Sequence, residues 1–166
     1  MPLPIARRFA LPVFILLAAL SGAAVASAAG EEGGATTRRV VVDPMTGFAI
    51  GGYDPVAYFA EGRAVEGQSG IEAAWGGAIW RFVNRGNRDA FLDAADIYAP
   101  RFGGYCARRA AIGVAAEGDP RVFAIWGGRL YFFHTESDRA LWRRAPDPHI
   151  GAAQKNWPRL EQMLAQ

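Results

Sequence analysis

The chain has a single cysteine, Cys106, which lies in the run Arg101-Phe102-Gly103-Gly104-Tyr105-Cys106-Ala107. A helix is predicted to begin near Gly104, which puts the thiol in a first helical turn. Unpaired backbone N–H groups and the helix dipole favour a thiolate there. Arg101, Arg108 and Arg109 are close in sequence and add positive charge. Two interpretations stay open: a reactive or metal-ligating thiol, or a small packing residue that is inert.

Few other side chains could ligate a soft metal: His134, His149, Met45 and Met163. His134 ends a predicted strand, and it reaches Cys106 if the helix after Gly104 packs against that strand end. One thiolate and one imidazole suit copper better than calcium or magnesium, whereas structural zinc requires four ligands. Cys106 and His134 are therefore the predicted metal ligands, and copper is the candidate cofactor.

A thiol-dependent redox or hydrolytic enzyme is a further alternative. Cys106 and His134 provide a nucleophile and a base, and Asp138 or Asp119 could orient the imidazole. The sequence contains no phosphate loop, nucleotide fingerprint or metalloprotease motif. We assign no catalytic residue and expect a binding function rather than an enzymatic one.

Two tyrosines and two glycines are the candidates for binding an organic ligand. Gly103 and Gly104 lack a Cβ and let a ligand approach the backbone closely. Tyr53 and Tyr105 could line a pocket for a flat molecule. These four residues are the predicted ligand-binding set, whereas the five tryptophans are expected to pack in the core.

The surrounding elements are predicted from turn signals. Asp54-Pro55 can cap and start a short helix. Two hairpins are predicted, with residues 71–75 and 78–83 flanking Gly76-Gly77 and residues 122–126 and 129–133 flanking Gly127-Gly128.

Further helices are predicted from about Asn87, from Thr135, and after Asn156-Trp157-Pro158, with Leu92 facing the core. Hairpins with interleaved short helices indicate an α+β domain built around one small antiparallel sheet. No internal repeat is predicted.

The N-terminus is typical of an export signal. Arg7-Arg8 precede an apolar stretch, and Ala26-Ser27-Ala28 offers a cleavage site. We therefore expect a cleaved signal peptide over residues 1–28, a flexible leader over 29–39, a single domain over 40–166, and a periplasmic or secreted protein. The leader holds only polar residues, glycine and alanine.

The charge of the chain limits its partners. Its 18 Lys and Arg face 16 Asp and Glu, and loss of Arg7 and Arg8 with the signal leaves 16 of each. A balanced surface offers no electrostatic footprint for nucleic acid or an anionic membrane. A metal ion or a protein partner is expected instead, with no membrane association after signal cleavage.

Several motifs occur in a fixed order along the chain. They are Gly52-Tyr53-Asp54-Pro55-Val56-Ala57-Tyr58-Phe59, Trp80-Arg81-Phe82, Asn87-Arg88-Asp89-Ala90-Phe91, Tyr98-Ala99-Pro100, Gly103-Gly104-Tyr105-Cys106-Ala107, Asp119-Pro120, Gly128-Arg129-Leu130-Tyr131 and Asn156-Trp157-Pro158. In this order they resemble the exported bacterial form of the YHS domain family. The resemblance implies a small α+β fold but supplies no reaction, and we expect a non-enzymatic binding module.

The short members of that family carry cysteines that are taken to be metal ligands. The corresponding positions here hold Thr46, Val83 and Asn87. The resemblance therefore does not carry a thiolate cluster over to this chain. A structural or protein-interaction domain with an inert Cys106 stays open as the alternative to soft-metal binding.

Overall fold

The computed structural model describes residues 40–165, so the expected signal peptide and leader lie outside the described part. The described residues belong to one compact unit. In chain order its elements are α1 (Ala57–Ala60), β1 (Glu72–Trp75), β2 (Ala78–Arg81), α2 (Arg85–Asp93), α3 (Ala95–Tyr98), α4 (Ala107–Ala111), β3 (Asp119–Trp126), β4 (Arg129–Phe133), α5 (Glu136–Trp142) and α6 (Pro146–Leu164). None of these helices is long and apolar enough to cross a membrane. The predicted α+β class, with two hairpins and interleaved helices, is confirmed.

Two segments of the chain fold in the same way, which we name repeat 1 (residues 50–98) and repeat 2 (residues 102–149). Each begins with a tight turn that ends in Gly-Gly-Tyr and continues into a short helix. A hairpin closed by Trp-Gly-Gly follows, and then two helices separated by a non-helical alanine, Ala94 or Ala145. The expectation of no internal repeat is therefore wrong.

Matching hydrogen bonds support the equivalence of the repeats. Each joins the turn and its following residue to the loop before the hairpin, at the same positions and nearly the same lengths. In repeat 1 the bonds run from Asp54 N to Val65 O (2.8 Å) and from Gly67 N to Gly52 O (2.9 Å); in repeat 2 they run from Cys106 N to Ala116 O (2.8 Å) and from Gly118 N to Gly104 O (3.0 Å).

Both turns contain a buried side chain in a left-handed backbone conformation. Ile50 has φ +46° and Phe102 has φ +57°. This region is unfavourable for residues with a Cβ, especially a β-branched one. Both side chains are almost fully buried, so core packing offsets the strain in each repeat.

The two hairpins form separate two-stranded sheets, which corrects the prediction of one sheet. Both are antiparallel, with Trp75 opposite Ala78 and Trp126 opposite Arg129 beside the turns. The next strand position beside β2 is taken by Phe48, which bridges Ile79, and that beside β4 by Cys106, which bridges Phe132. The hairpins therefore cannot pair with each other there.

The core consists of two clusters of buried side chains. The first holds Trp80, Phe82 and Phe91 of repeat 1, and the second holds most of the buried residues of repeat 2. Side chains of β4 alternate between them, because Leu130 and Phe132 join the first cluster whereas Tyr131 and Phe133 join the second. Strand β4 thus ties the repeats together.

Two sequence predictions about helices are corrected. We expected Leu92 to face the core, but it is 52% exposed. Of the residues of α2, Phe91 is the one that is buried. The last helix begins at Pro146 and runs through Pro158 rather than starting there. Asn156 does not cap it; its side-chain amide donates to the carbonyl oxygens of Ala110 and Ala111 at the end of α4 (3.1 and 3.0 Å).

Candidate functional site

Cys106 lies just before α4 rather than inside its first turn. It is the N-cap residue of a helix of five residues, with extended backbone angles. Its side chain has no exposed area and packs in the second cluster, among aromatic and small apolar side chains. The predicted position near a helix start is thus correct, but the sulfur points into the core.

Burial raises the pKa of the Cys106 thiol. The backbone N–H groups of Arg109, His134 and Arg108 act on the sulfur in the opposite direction, although none makes a cap hydrogen bond to it. The negative charge of Asp138 adds to the rise. Desolvation outweighs the helix-start effect, so the thiol is the favoured form at neutral pH.

His134 approaches Cys106 through its main chain. Its ring is exposed, and Nδ1 donates a hydrogen bond to the carbonyl oxygen of Glu117 (2.9 Å). Among residues 40–165, no group of three or more His, Cys, Asp or Glu side chains converges. The assignment of Cys106 and His134 as metal ligands stays a prediction.

The four predicted ligand-binding residues do not form one pocket. Gly104 is packed against the protein itself, since a Cβ there would lie 3.3 Å from Ile50 Cγ2 and 3.5 Å from Val41 Cβ. Tyr53 and Tyr105 are equivalent residues of the two repeats; Tyr53 packs against the first cluster and Tyr105 contacts Trp157 of α6 (ring centroids 5.7 Å apart). The close approach permitted by Gly104 serves the core.

Asp54 is the residue of repeat 1 that corresponds to Cys106. It is fully buried, and its Oδ1 accepts hydrogen bonds from the backbone N–H groups of Val56 (2.8 Å) and Ala57 (3.2 Å). Its Oδ2 accepts from Val83 N and from Asn87 Nδ2, both at 2.8 Å. Val83 and Asn87 thus both serve as donors to this carboxylate.

In repeat 2 the buried carboxylate belongs to the residue that corresponds to Asn87, not to the one that corresponds to Asp54. Asp138, which corresponds to Asn87, is 6% exposed. It accepts hydrogen bonds from Thr135 Oγ1 (2.9 Å) and Arg109 Nε (3.1 Å), and Arg108 lies 3.7 Å away. Each repeat thus buries one carboxylate at this pair of equivalent positions. It is Asp54 in repeat 1 and Asp138 in repeat 2.

A cleft of about 360 Å³ lies where the two core clusters meet. Trp75, from the first cluster, faces Phe102 and Trp157 of the second, and Asp96 and Arg101 supply opposite charges. Phe102 and Trp157 contact each other with ring centroids 5.4 Å apart. An aromatic cleft at a junction with a few polar groups is typical of a small-molecule site. We name it the junction cleft.

A second groove, of about 420 Å³, lies beside hairpin β1–β2. Its lining is mainly apolar, from residues 40–42 and Ile79, with Tyr105 and Glu117 at its side. Tyr105, one of the four predicted ligand-binding residues, thus lines this groove. The groove has one carboxylate and no cation in its lining, whereas the junction cleft has both.

Sequence reasoning missed the junction cleft because its residues are far apart in the chain. Arg101 was assigned to the surroundings of Cys106, and Trp75 and Trp157 to the core. The repeat would have revealed part of it, since Trp75-Gly76-Gly77 recurs as Trp126-Gly127-Gly128 and Asp96 recurs as Asp147.

No family model matches the chain, and neither a curated protein nor a solved structure matches it. The resemblance to the YHS family therefore stays a hypothesis that rests on the motifs in the sequence.

Proposed function

We propose that this chain is an exported, non-enzymatic binding module of the YHS type, in which the junction cleft holds a small ligand and Cys106 is structural. The observation that carries the proposal is the cleft itself, which combines three aromatic side chains with one cation and one carboxylate. Such a lining binds and orients a molecule.

The surroundings of Cys106 support a structural role for the thiol. A nucleophile or metal ligand acts as the thiolate and must be reachable from solvent. Cys106 has no exposed area, and burial raises its pKa. It also corresponds to Asp54 of repeat 1, which is equally buried, and it packs in the second cluster.

Binding of copper by Cys106 and His134 is the second candidate. The observation that favours it is the adjacency of the His134 backbone to the sulfur. A shift of this strand end that turns the imidazole inward would bring the two ligand types together. Such a site suits a soft metal.

One experiment separates these candidates through the thiol. The mature protein is purified from the periplasm, titrated with Cu(I), and treated with a thiol reagent with and without urea. We expect the thiol to react only in urea and no stoichiometric copper binding. One copper per chain that is lost in both Cys106→Ser and His134→Ala would replace the proposal with the metal site. Recovery in the periplasmic fraction tests export in the same preparation.

The ligand function is tested by NMR with a mixture of small aromatic and charged molecules. Indole N–H signals are resolved from the backbone, and Trp75→Phe and Trp157→Phe assign the two signals from the cleft. We expect at least one component to shift both signals. If no component moves either signal, the junction cleft is not the site.

A further inference from the structure

Because the two repeats share one fold, the groups that line the junction cleft in repeat 1 can be compared with their equivalents in repeat 2. In repeat 2, Trp126 Nε1 donates a hydrogen bond of 2.8 Å to Asp147 Oδ1. Trp126 precedes the hairpin turn, and Asp147 follows the non-helical Ala145 (φ −154°, ψ 73°) at the start of α6. This hydrogen bond links hairpin β3–β4 to the start of α6.

In repeat 1 the equivalent pair is open. Trp75 precedes the same turn, and Asp96 follows the equivalent non-helical Ala94 (φ −146°, ψ 48°). Both side chains line the junction cleft. Within residues 40–165, neither the Trp75 indole N–H nor the Asp96 carboxylate has a hydrogen-bond partner, in contrast to the bonded pair Trp126 and Asp147.

Repeat 2 contributes a cation to this opening. Arg101 lines the cleft, and its guanidinium makes no hydrogen bond or ion pair with another described residue. The corresponding position before the turn of repeat 1 is Ala49, which is fully buried. The guanidinium therefore has no counterpart in the other repeat and is not required by the fold of the turn.

The three polar groups that line the cleft set the chemistry that a ligand there has to match. An indole N–H and a guanidinium both donate hydrogen bonds and together suit a carboxylate. The Asp96 carboxylate suits an ammonium group. Trp157 and Phe102 form an aromatic pair with ring centroids 5.4 Å apart. Their apolar faces could pack against an aromatic ring of a ligand.

From this we infer that the junction cleft binds a small zwitterion with an aromatic group, the chemistry of a free aromatic amino acid, whose carboxylate occupies the place that the Asp147 carboxylate holds in repeat 2. The inference rests on the proposed function, since it names the ligand class of the same cleft. A volume of about 360 Å³ lies within the range of small-molecule sites.

The test is a titration of the mature protein with three probes that share a phenyl ring: L-phenylalanine, phenylacetate and phenethylamine. Isothermal calorimetry gives the affinity, and ¹H–¹⁵N spectra follow the indole signals. We expect L-phenylalanine to bind most tightly and to shift the Trp75 signal, whereas the Trp126 signal stays in place because its N–H is already bonded.

Matched variants locate the charges. Arg101→Gln and Asp96→Asn should each weaken L-phenylalanine binding about tenfold, the loss expected for one charge-assisted hydrogen bond. Asp147→Asn alters the equivalent carboxylate in the closed pair and should leave the affinity unchanged. Arg101→Gln should have no effect on phenethylamine, which lacks the carboxylate.

Three results would overturn the inference: no binding of L-phenylalanine, equal affinity for all three probes, or an affinity that is insensitive to both Arg101→Gln and Asp96→Asn. The proposed function survives them if another molecule of the mixture shifts the Trp75 and Trp157 signals. A reactive or copper-binding Cys106 would instead contradict the structural role of the thiol and leave the zwitterion site standing.

Discussion

Cys106 and Asp54 occupy equivalent positions in two copies of one fold. Each precedes a short helix, and each has its backbone N–H bonded to the loop before its hairpin. The carboxylate forms four hydrogen bonds, whereas the thiol forms no cap hydrogen bond and packs among apolar side chains. The same place in the fold is thus held by polar bonding in one repeat and by packing in the other.

Removing the two equivalent side chains should therefore have unequal effects. Asp54→Ala leaves several buried donors without a partner and should lower the free energy of unfolding by at least about 3 kcal/mol. Cys106→Ala removes one small buried group and should cost about 1 kcal/mol. Urea unfolding of both variants measures the difference, and equal losses would contradict the assignment of Cys106 as a packing residue.

Each repeat has one carboxylate at its pair of equivalent positions, Asp54–Asn87 or Cys106–Asp138. We therefore predict that substitutions at positions 106 and 138 are energetically coupled. Cys106→Asp alone puts a second carboxylate beside Asp138 and should destabilise the fold by charge repulsion and desolvation. Adding Asp138→Asn recreates the Asp54–Asn87 arrangement and should recover part of the loss. A double-mutant cycle should give a favourable coupling free energy of at least about 1 kcal/mol. Additive losses would mean that the residue pair of one repeat cannot replace that of the other.

Two equivalent glycines should not tolerate a Cβ. At Gly67 the added atom would lie 2.6 Å from the backbone of Arg81, and at Gly118 it would lie 2.5 Å from Phe132 Cβ. Each replacement by alanine should destabilise by at least about 2 kcal/mol because of overpacking. Gly151→Ala is the control, since nothing lies within 4 Å and α6 gains about 1 kcal/mol of helix propensity. Thermal unfolding ranks the three variants.

The protein should lose stability at alkaline pH. Burial raises the pKa of Cys106. It also raises the pKa of Tyr58, whose hydroxyl donates a hydrogen bond to Pro120 O (2.9 Å). The folded state then holds these protons more tightly than the unfolded state, so their contribution is complete below the unfolded pKa values of about 8.5 and about 10 and is lost as pH rises.

Urea unfolding between about pH 7 and 11 measures this loss. Cys106→Ala should flatten the part that begins near the ordinary thiol pKa, and Tyr58→Phe the part that begins near the ordinary tyrosine pKa. Identical pH profiles for the native chain and both variants would show that neither group governs the alkaline limb.

Local turn chemistry made much of the fold predictable. Asp54 accepts hydrogen bonds from the backbone just before and at the start of α1, although the N-cap residue itself is Val56, and both Gly-Gly pairs close hairpins, because these signals act over a few residues. The arrangement of the hairpins in two sheets depends on Phe48 and Cys106, which bridge β2 and β4 from a distance in sequence. Patterns within one element do not encode such pairings.

The candidate site was less predictable than the fold. The position of Cys106 at a helix start could be read from the sequence, but its pKa depends on the second cluster, which draws on α6 and β4. The helical proline Pro158 resembles a helix start because its fixed φ suits the first turn. Placing that start too late hid the role of Asn156 and the approach of Trp157 to Phe102.

Helix α6 also sets the order in which the protein can mature. It supplies Ala153 and Leu160 to the second cluster, and Asn156 bonds the end of α4 from 45 and 46 residues away. A ribosome-bound chain from which α6 has not yet emerged leaves the core of repeat 2 open. Repeat 2 therefore completes its core only after α6 has left the ribosome, and chaperones can bind its apolar side chains until then.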